Sequence, residues 1–245
     1  MEGIYRFADV NIRIQSVYPK VHELCREYRT EGSYDFAVET TTDDIEEEKV
    51  KSARTDELER IPVRVFSDGY LEELAVYRKM AEKLPDYDTL LMHGSAVAVE
   101  AEAYLFIAKS GTGKSTHTRL WRQLFGDAAV MVNDDKPLMR ITEEGPVIYG
   151  TPWDGKHRLS SNIAVPLAAV CILERAETNH IREISAGEAL PMLLQQTYRP
   201  EDITALQKML ELTEKLAESV RLYRLGCNMD ISAAQLSYEA MHEKI

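Results

Sequence analysis

The feature that most constrains this chain is a single stretch, Tyr104-Leu-Phe-Ile-Ala-Lys-Ser-Gly-Thr-Gly-Lys-Ser-Thr116, where an apolar run passes into a glycine loop and then into residues that suit a helix. It fits G-x-x-x-x-G-K-[S/T], the Walker A pattern, with Ala108 in the first glycine position, Gly113 and Lys114 as the fixed pair and Ser115 closing it. Gly111 and Gly113 permit positive φ, which lets backbone N–H groups turn inward where a Cβ would resist. Lys114 adds a point charge, and a helix starting there aims the positive end of its dipole at the same place. Ser115 offers a hydroxyl to a magnesium ion. Ala108 ends the strand, where a small side chain suffices. Ala108, Lys109, Ser110, Gly111, Thr112, Gly113, Lys114, Ser115 and Thr116 are therefore expected to cradle the phosphates of a nucleotide.

The 245 residues can bury a large core as one α/β domain spanning 1–245. Within it, 1–88 reads as a β-rich N-terminal part able to form a sub-lobe, and 89–245 as the nucleotide-binding core. Val10, Ile12 and Ile14 alternate with polar residues, and Tyr34–Glu39 suggests another strand. The charged run Asp43–Lys49 reads as a solvated loop or helix start, and Val63 with Val65 as a short strand. Leu71, Leu74, Tyr77, Met80 and Leu84 recur at helical spacing.

Leu90–Val99 then reads as a strand that turns at Glu100–Glu102 into the strand before the glycine loop, so a hairpin feeds the phosphate site. The helix after the loop places Leu120, Trp121 and Leu124 inward and stops near Gly126. Ala128–Val132 reads as a buried strand carrying Asn133-Asp-Asp135 at its end. A second hairpin joins Pro137–Ile141 to Val147–Tyr149, and Gly150–Arg158 is an irregular loop dense in polar, aromatic and basic groups. Leu167–Leu173 forms a further buried strand, and Ser185 caps a helix through Gln196. A helix over Glu201–Ser219, a strand over Val220–Leu225 and a last helix capped at Ser232 complete the chain.

The formal net charge of −12 argues against nucleic acid or an anionic membrane as partner, because such binding rests on clustered Lys and Arg. Cys25, Cys171 and Cys227 are odd in number and carry no metal-ligand spacing, which suits a reducing cytosol. The N-terminus shows no signal-peptide pattern and no run approaches a membrane span, so a cytoplasmic protein is expected.

A phosphate loop alone indicates only that a nucleotide binds. Asp134 and Asp135 stand at the end of the next apolar strand, where open sheets place ligand groups. One carboxylate there can hold magnesium while the other takes a proton from an incoming hydroxyl. Asp134 is assigned to the metal and Asp135 to the base, roles that can be exchanged. His93, close before the loop, can serve as metal ligand or as partner to an aspartate. Lys156, His157 and Arg158 offer cations, and Arg158 or Lys156 can steady a moving phosphoryl group. Lys109, His117, Arg119 and Arg122 are expected mostly on the helix surface.

Met92-His-Gly-Ser-Ala-Val97, the hairpin, Ser110-Gly-Thr-Gly-Lys-Ser115 and Asn133-Asp-Asp135 together resemble the catalytic core shared by HPr kinase/phosphorylase and the ATP-dependent phosphoenolpyruvate carboxykinases. The resemblance covers about Leu90 to Asp135. It implies an α/β fold with a P-loop core of that type, a mixed sheet and flanking helices, ATP and Mg2+ as cofactors, and His93 near the metal or reacting phosphate. It is compatible with a homo-oligomer. The chain is much shorter than a carboxykinase and has no counterpart of its substrate-binding half, so decarboxylating chemistry is not expected. The segment that follows the acidic pair in the bifunctional HPr enzyme is likewise not evident. The reading is therefore an ATP-dependent phosphotransferase acting on a hydroxyl of a protein, peptide or small metabolite. A nucleotide-binding switch is the alternative, and a nucleotide hydrolase a third.

Overall fold

Every second side chain along Glu2–Phe7 and Val10–Gln15 is buried, Tyr5, Phe7, Val10, Ile12 and Ile14 among them, so these segments form strands β1 and β2 with one face toward a core. Ala8 and Asp9 join them, both with left-handed φ, as a two-residue hairpin of the primed type requires. The computed structural model describes residues 1–155 and 157–242, which fall into two units, Met1–Lys83 and Leu84–Ile245.

The first unit continues through α1 (Lys20–Leu24), β3 (Arg29–Thr30), β4 (Phe36–Glu39), α2 (Thr42–Glu59) and α3 (Asp68–Lys83). Its strands are ordered β3-β1-β2-β4, with β2 and β4 parallel. The charged run at 43–49 is the start of α2, opened by a Thr41/Asp44 capping box. The fully buried Glu72 of α3 accepts from the amides of Val17 at 2.6 Å and Tyr18 at 2.8 Å and from Thr40 Oγ1 at 2.6 Å. Three donors on one carboxylate satisfy a charge that burial would otherwise penalise. The strand expected at Val63 and Val65 does not form, and Val65 is 96% exposed. Pro62 has no amide to donate, and the Arg64 amide bonds the buried Asp56 carboxylate at 2.7 Å, so the segment is tied to a side chain rather than to a ladder.

The second unit comprises β5 (Thr89–Leu91), β6 (Ser95–Val99), β7 (Glu102–Ile107), α4 (Lys114–Phe125), β8 (Val130–Asn133), β9 (Leu138–Thr142), β10 (Gly145–Tyr149), β11 (Ala164–Arg175), β12 (His180–Glu183), α5 (Ala186–Gln196), α6 (Ile203–Ser219), β13 (Arg221–Cys227) and α7 (Ile231–His242). Among the described residues its nine strands run β5-β9-β10-β11-β7-β6-β8, with β13 on β11 and β12 on β13. The long β11 pairs antiparallel with β10 near its start, then parallel with both β7 and β13. Alternation along β7 feeds two cores. Ala103, Leu105 and Ile107 pack with Leu193 of α5 and Met209 and Leu212 of α6, while Tyr104, Phe106 and Ala108 pack with Leu120 and Trp121 of α4 and Met241 of α7. The fold is thus mixed α/β, and helices flank a sheet whose central strands are apolar on both faces. No described helix is long and apolar enough to cross a membrane.

Three expectations are corrected here. Leu90–Val99 is not one strand: β5 joins β9, β6 joins β7 and β8, and the chain breaks between them. At that break a Cβ on Gly94 would lie 2.6 Å from Leu105 Cδ1 and 3.2 Å from the Phe106 carbonyl oxygen, so only glycine lets the backbone approach β7. His117 is buried rather than on the helix surface. Its Nε2 meets Ser237 Oγ at 3.0 Å and Trp121 Nε1 at 3.2 Å, and burial lowers its pKa to about 4, which keeps the ring neutral. Leu124 is half-exposed, because Phe125 takes the inward place in the last turn of α4, against Trp121 and Tyr238.

The β6–β7 turn carries a testable strain. Glu100 and Ala101 both adopt left-handed φ, 53° and 66°, which costs a residue with a Cβ roughly 1 kcal/mol. Ala101→Gly is expected to stabilise the protein by about 0.5–1 kcal/mol, read as a higher urea midpoint. A lowered midpoint would show that the turn is unstrained.

Candidate functional site

The glycine loop is built where β7 ends. Ala108 is fully buried, Gly111 and Gly113 have φ of 75° and 124°, and α4 begins at Lys114 with Gly113 as its N-cap. Helix α4 thus turns its unpaired N–H groups toward the loop. Arg175, at the end of the neighbouring β11, latches the loop from the side: its guanidinium donates to the carbonyls of Gly111 and, at 3.4 Å, of Thr112. Lys114 Nζ lies 3.4 Å from the Ala108 carbonyl oxygen. Burial lowers the Lys114 pKa, and the charges of Asp135 and Asp134 oppose that shift, so the ammonium interacts with the acidic pair.

Asn133 organises that pair. Its side-chain oxygen accepts from the amides of Asp135 at 2.8 Å and Lys136 at 2.6 Å, and its Nδ2 donates to the Thr151 carbonyl at 3.0 Å and to Thr151 Oγ1 at 3.1 Å. This asparagine turn sends the two carboxylates to different partners. The buried Asp134 accepts from Ser95 Oγ at 2.6 Å, and Ser95 Oγ meets Thr118 Oγ1 of α4 at 2.8 Å. Asp135 lies 3.3 Å from His93 Nε2 and 3.0 Å from Lys136 Nζ. Burial pushes the Asp135 pKa up, but the hydrogen bond from His93 and the charge of Lys136 outweigh it and hold the carboxyl at about 2.

His93 stands in the break between β5 and β6, not within a strand. Its amide donates to the Gln196 carbonyl at 2.7 Å, which ties the end of α5 to this break. With its amide nitrogen turned toward the loop, the Gln196 side chain reaches the Ala108 carbonyl at 3.1 Å, the His93 carbonyl at 3.2 Å and His93 Nδ1 at 3.3 Å. Nε2, at 3.3 Å from the Asp135 carboxylate, is the ring nitrogen placed to donate to it. Gln196 therefore bridges His93 to the end of the strand before the glycine loop.

Loop 150–160 closes another side. A Cβ at Gly155 would sit 3.4 Å from Asp135 Cβ, and the buried Asp154 accepts from Ser160 Oγ at 2.8 Å and pairs with Arg158 at 3.6 Å. Burial raises the Asp154 pKa against the pull of Ser160 and Arg158. Arg158, expected near the transferred group, is thus engaged with Asp154, and its side chain is otherwise in solvent. Lys156 lies outside the described residues. Beside α4 opens a cleft of about 350 Å³, lined by Ser115, Thr118, Arg119 and Arg122 of the helix together with Asp134, His157 and Leu159. Ser115 and Asp134 line this one cleft, and a hydroxyl with a carboxylate is a fitting oxygen donor set for Mg2+.

The fold therefore brings Lys114, Ser115, Asp134, Asp135 and His93 to the end of the sheet where β7 and β8 finish and β6 begins, while Lys109 and Ser110 are exposed on the loop. Sequence reasoning missed Gln196, Arg175, Ser95, Thr151 and Asp154. Of these Ser95 lay inside the stretch around His93, and Thr151 and Asp154 inside the loop marked at Gly150–Arg158, but none was singled out; Gln196 and Arg175 lay in no marked motif. No family model matches the sequence. No curated protein matches it. Among solved structures, the Hpr(Ser) kinase/phosphatase from Coxiella burnetii is similar with a TM-score of 0.34 and 8% identity, over 61% of this chain and 95% of that one.

Proposed function

We propose that the chain is an ATP-dependent phosphotransferase, built on a P-loop core of the HPr kinase/phosphoenolpyruvate carboxykinase type, that moves the γ-phosphoryl group to a hydroxyl of a protein, peptide or small metabolite. One observation carries the reading: Asp135 is ionised, hydrogen-bonded to His93, and close enough to Lys114 to oppose the loss of its charge. A nucleotide-binding loop needs no base at that place. A transferase does.

In this reading residues 108–116 hold the phosphates, and Lys114 faces their terminal charge. Ser115 and Asp134 would hold magnesium, which when bound supplies neutralisation of phosphate charge. Asp135 orients the acceptor hydroxyl and takes its proton, with His93 and Lys136 fixing the carboxylate. The observation favouring a nucleotide-binding switch instead is Lys136, which occupies one Asp135 oxygen at 3.0 Å.

Transfer of label from γ-labelled ATP to an acceptor pool tests the proposal. Lys114→Ala is expected to weaken nucleotide binding about 10- to 100-fold, the worth of a charge-assisted contact. Equilibrium binding of a labelled nucleotide measures it. Binding without any transfer by the wild type would favour the switch, and absence of both would overturn the nucleotide reading.

A further inference from the structure

The cleft beside α4 has a basic wall that the phosphate loop does not explain. Ser115, Arg119 and Arg122 are spaced i, i+4 and i+7 along α4, so they form one stripe, and all three line the cleft. Acidic residues outnumber basic ones 41 to 29 in this chain. Most of its arginines with a recorded contact face a carboxylate or a carbonyl: Arg13, Arg64, Arg78, Arg158, Arg182 and Arg224 pair with acids, and Arg175 with the loop. Arg119 and Arg122 have no hydrogen bond or ion pair with any described residue, in a chain with a surplus of carboxylates. His157 lines the same cleft and adds a third nitrogen-bearing group.

Two neighbouring guanidiniums repel each other, and that repulsion is relieved by an anion bound between them. The cleft is also polarised along its length. Ser115 and Asp134 stand at the loop end, whereas Arg119 and Arg122 stand roughly 6 and 10 Å further along the helix axis at 1.5 Å per residue. Its volume is at the low end of the range for small-molecule sites.

We propose that this cleft is a binding site for a small anionic ligand, whose carboxylate or phosphoryl group is held by Arg119 and Arg122. The anion site stands on the cleft alone. That its occupant is the phosphoryl acceptor, a small hydroxylated metabolite reaching from the arginines to the loop, rests on the phosphotransfer reading.

Calorimetric titration of the full chain with inorganic phosphate tests the site, with wild type compared against an Arg119→Gln/Arg122→Gln double variant and against Lys114→Ala. Both arginines are exposed, and glutamine keeps the helix propensity, so the double variant folds. Phosphate is expected to bind the wild type at a second site besides the glycine loop, a site kept in Lys114→Ala and weakened at least tenfold in the double variant. With the loop filled by a non-hydrolysable ATP analogue and Mg2+, wild-type binding of phosphate is expected to persist. Equal binding by the double variant would overturn the site. So would loss of binding in Lys114→Ala or on filling the loop, since the anion would then belong to the phosphate cradle. If the analogue does not bind at all, the nucleotide reading fails, while the comparison of variants without it still decides the anion site.

Discussion

Asp135→Asn is expected to lower phosphoryl transfer by about 10²- to 10⁴-fold, the usual contribution of a positioned base, and to leave nucleotide affinity near that of the wild type. The amide keeps the shape of the carboxylate but cannot take a proton. Affinity is spared because the loop and Lys114 hold the phosphates, whereas Asp135 faces His93 and Lys136. The companion Asp134→Asn separates the two assigned roles. A metal ligand lost there would weaken binding of the magnesium nucleotide, and a reversed pattern in the two variants would exchange the assignments.

The same substitution has a signature in stability. The folded pKa of Asp135 is about 2, against roughly 3.9 for an unfolded aspartate. A depressed pKa stabilises the fold above the unfolded value, and that contribution is lost as pH falls through the folded one. The contribution is roughly 2 kcal/mol, lost between about pH 4 and pH 2. Urea midpoints measured at pH 5 and pH 2.5 should therefore converge more in the asparagine variant than in the wild type. Parallel acid sensitivity in both would place the charged partners of Asp135 elsewhere.

What could be read in advance follows from how local each determinant is. The glycine loop, the hairpin before it and the acidic pair each occupy a short stretch in which residue type dictates backbone shape, so loop, helix start and strand end were legible. Gln196 was not. It reaches His93 only because the backbone at the end of α5 pairs with Met92 and His93, about a hundred residues earlier in the chain, and no local pattern records that pairing. Arg175 acts on the loop through the parallel β7–β11 register, which is equally invisible in one sequence. The failed strand at Val63 and Val65 teaches the converse. Alternation marks a candidate strand, but Asp56 captured the amide that a ladder needed. Asn133 carried a readable signal, an asparagine just before an Asp-Asp turn, whose meaning appeared only with Thr151 across from it.

Gly150→Ala is expected to be the most destabilising single methyl in the second unit. An ideal Cβ at Gly150 falls 1.9 Å from the Ser161 carbonyl oxygen and 2.6 Å from that of Val132, and both are backbone atoms that no rotamer change can move. Relief requires loop 150–161 to leave β8, which breaks the Gly150 amide bond to Ile163 at 3.1 Å and the Ser161 amide bond to Val132 at 3.2 Å. Two lost backbone bonds and the residual overpacking cost roughly 3–5 kcal/mol. For a protein of this length that is a fall of about 6–15 °C in Tm. Gly187 in α5 supplies the control. Its Cβ would meet open space, so Gly187→Ala is expected to be neutral or to stabilise by up to about 1 kcal/mol. The loop displaced by the first change carries Thr151, which holds Asn133, and Gly155, which borders Asp135. Transfer should therefore fall even at temperatures where Gly150→Ala remains folded, because Asp135 loses its turn before the sheet melts. Full activity in a folded Gly150→Ala protein would mean that the loop does not position the acidic pair, and the base would then owe its geometry to His93 and Lys136 alone.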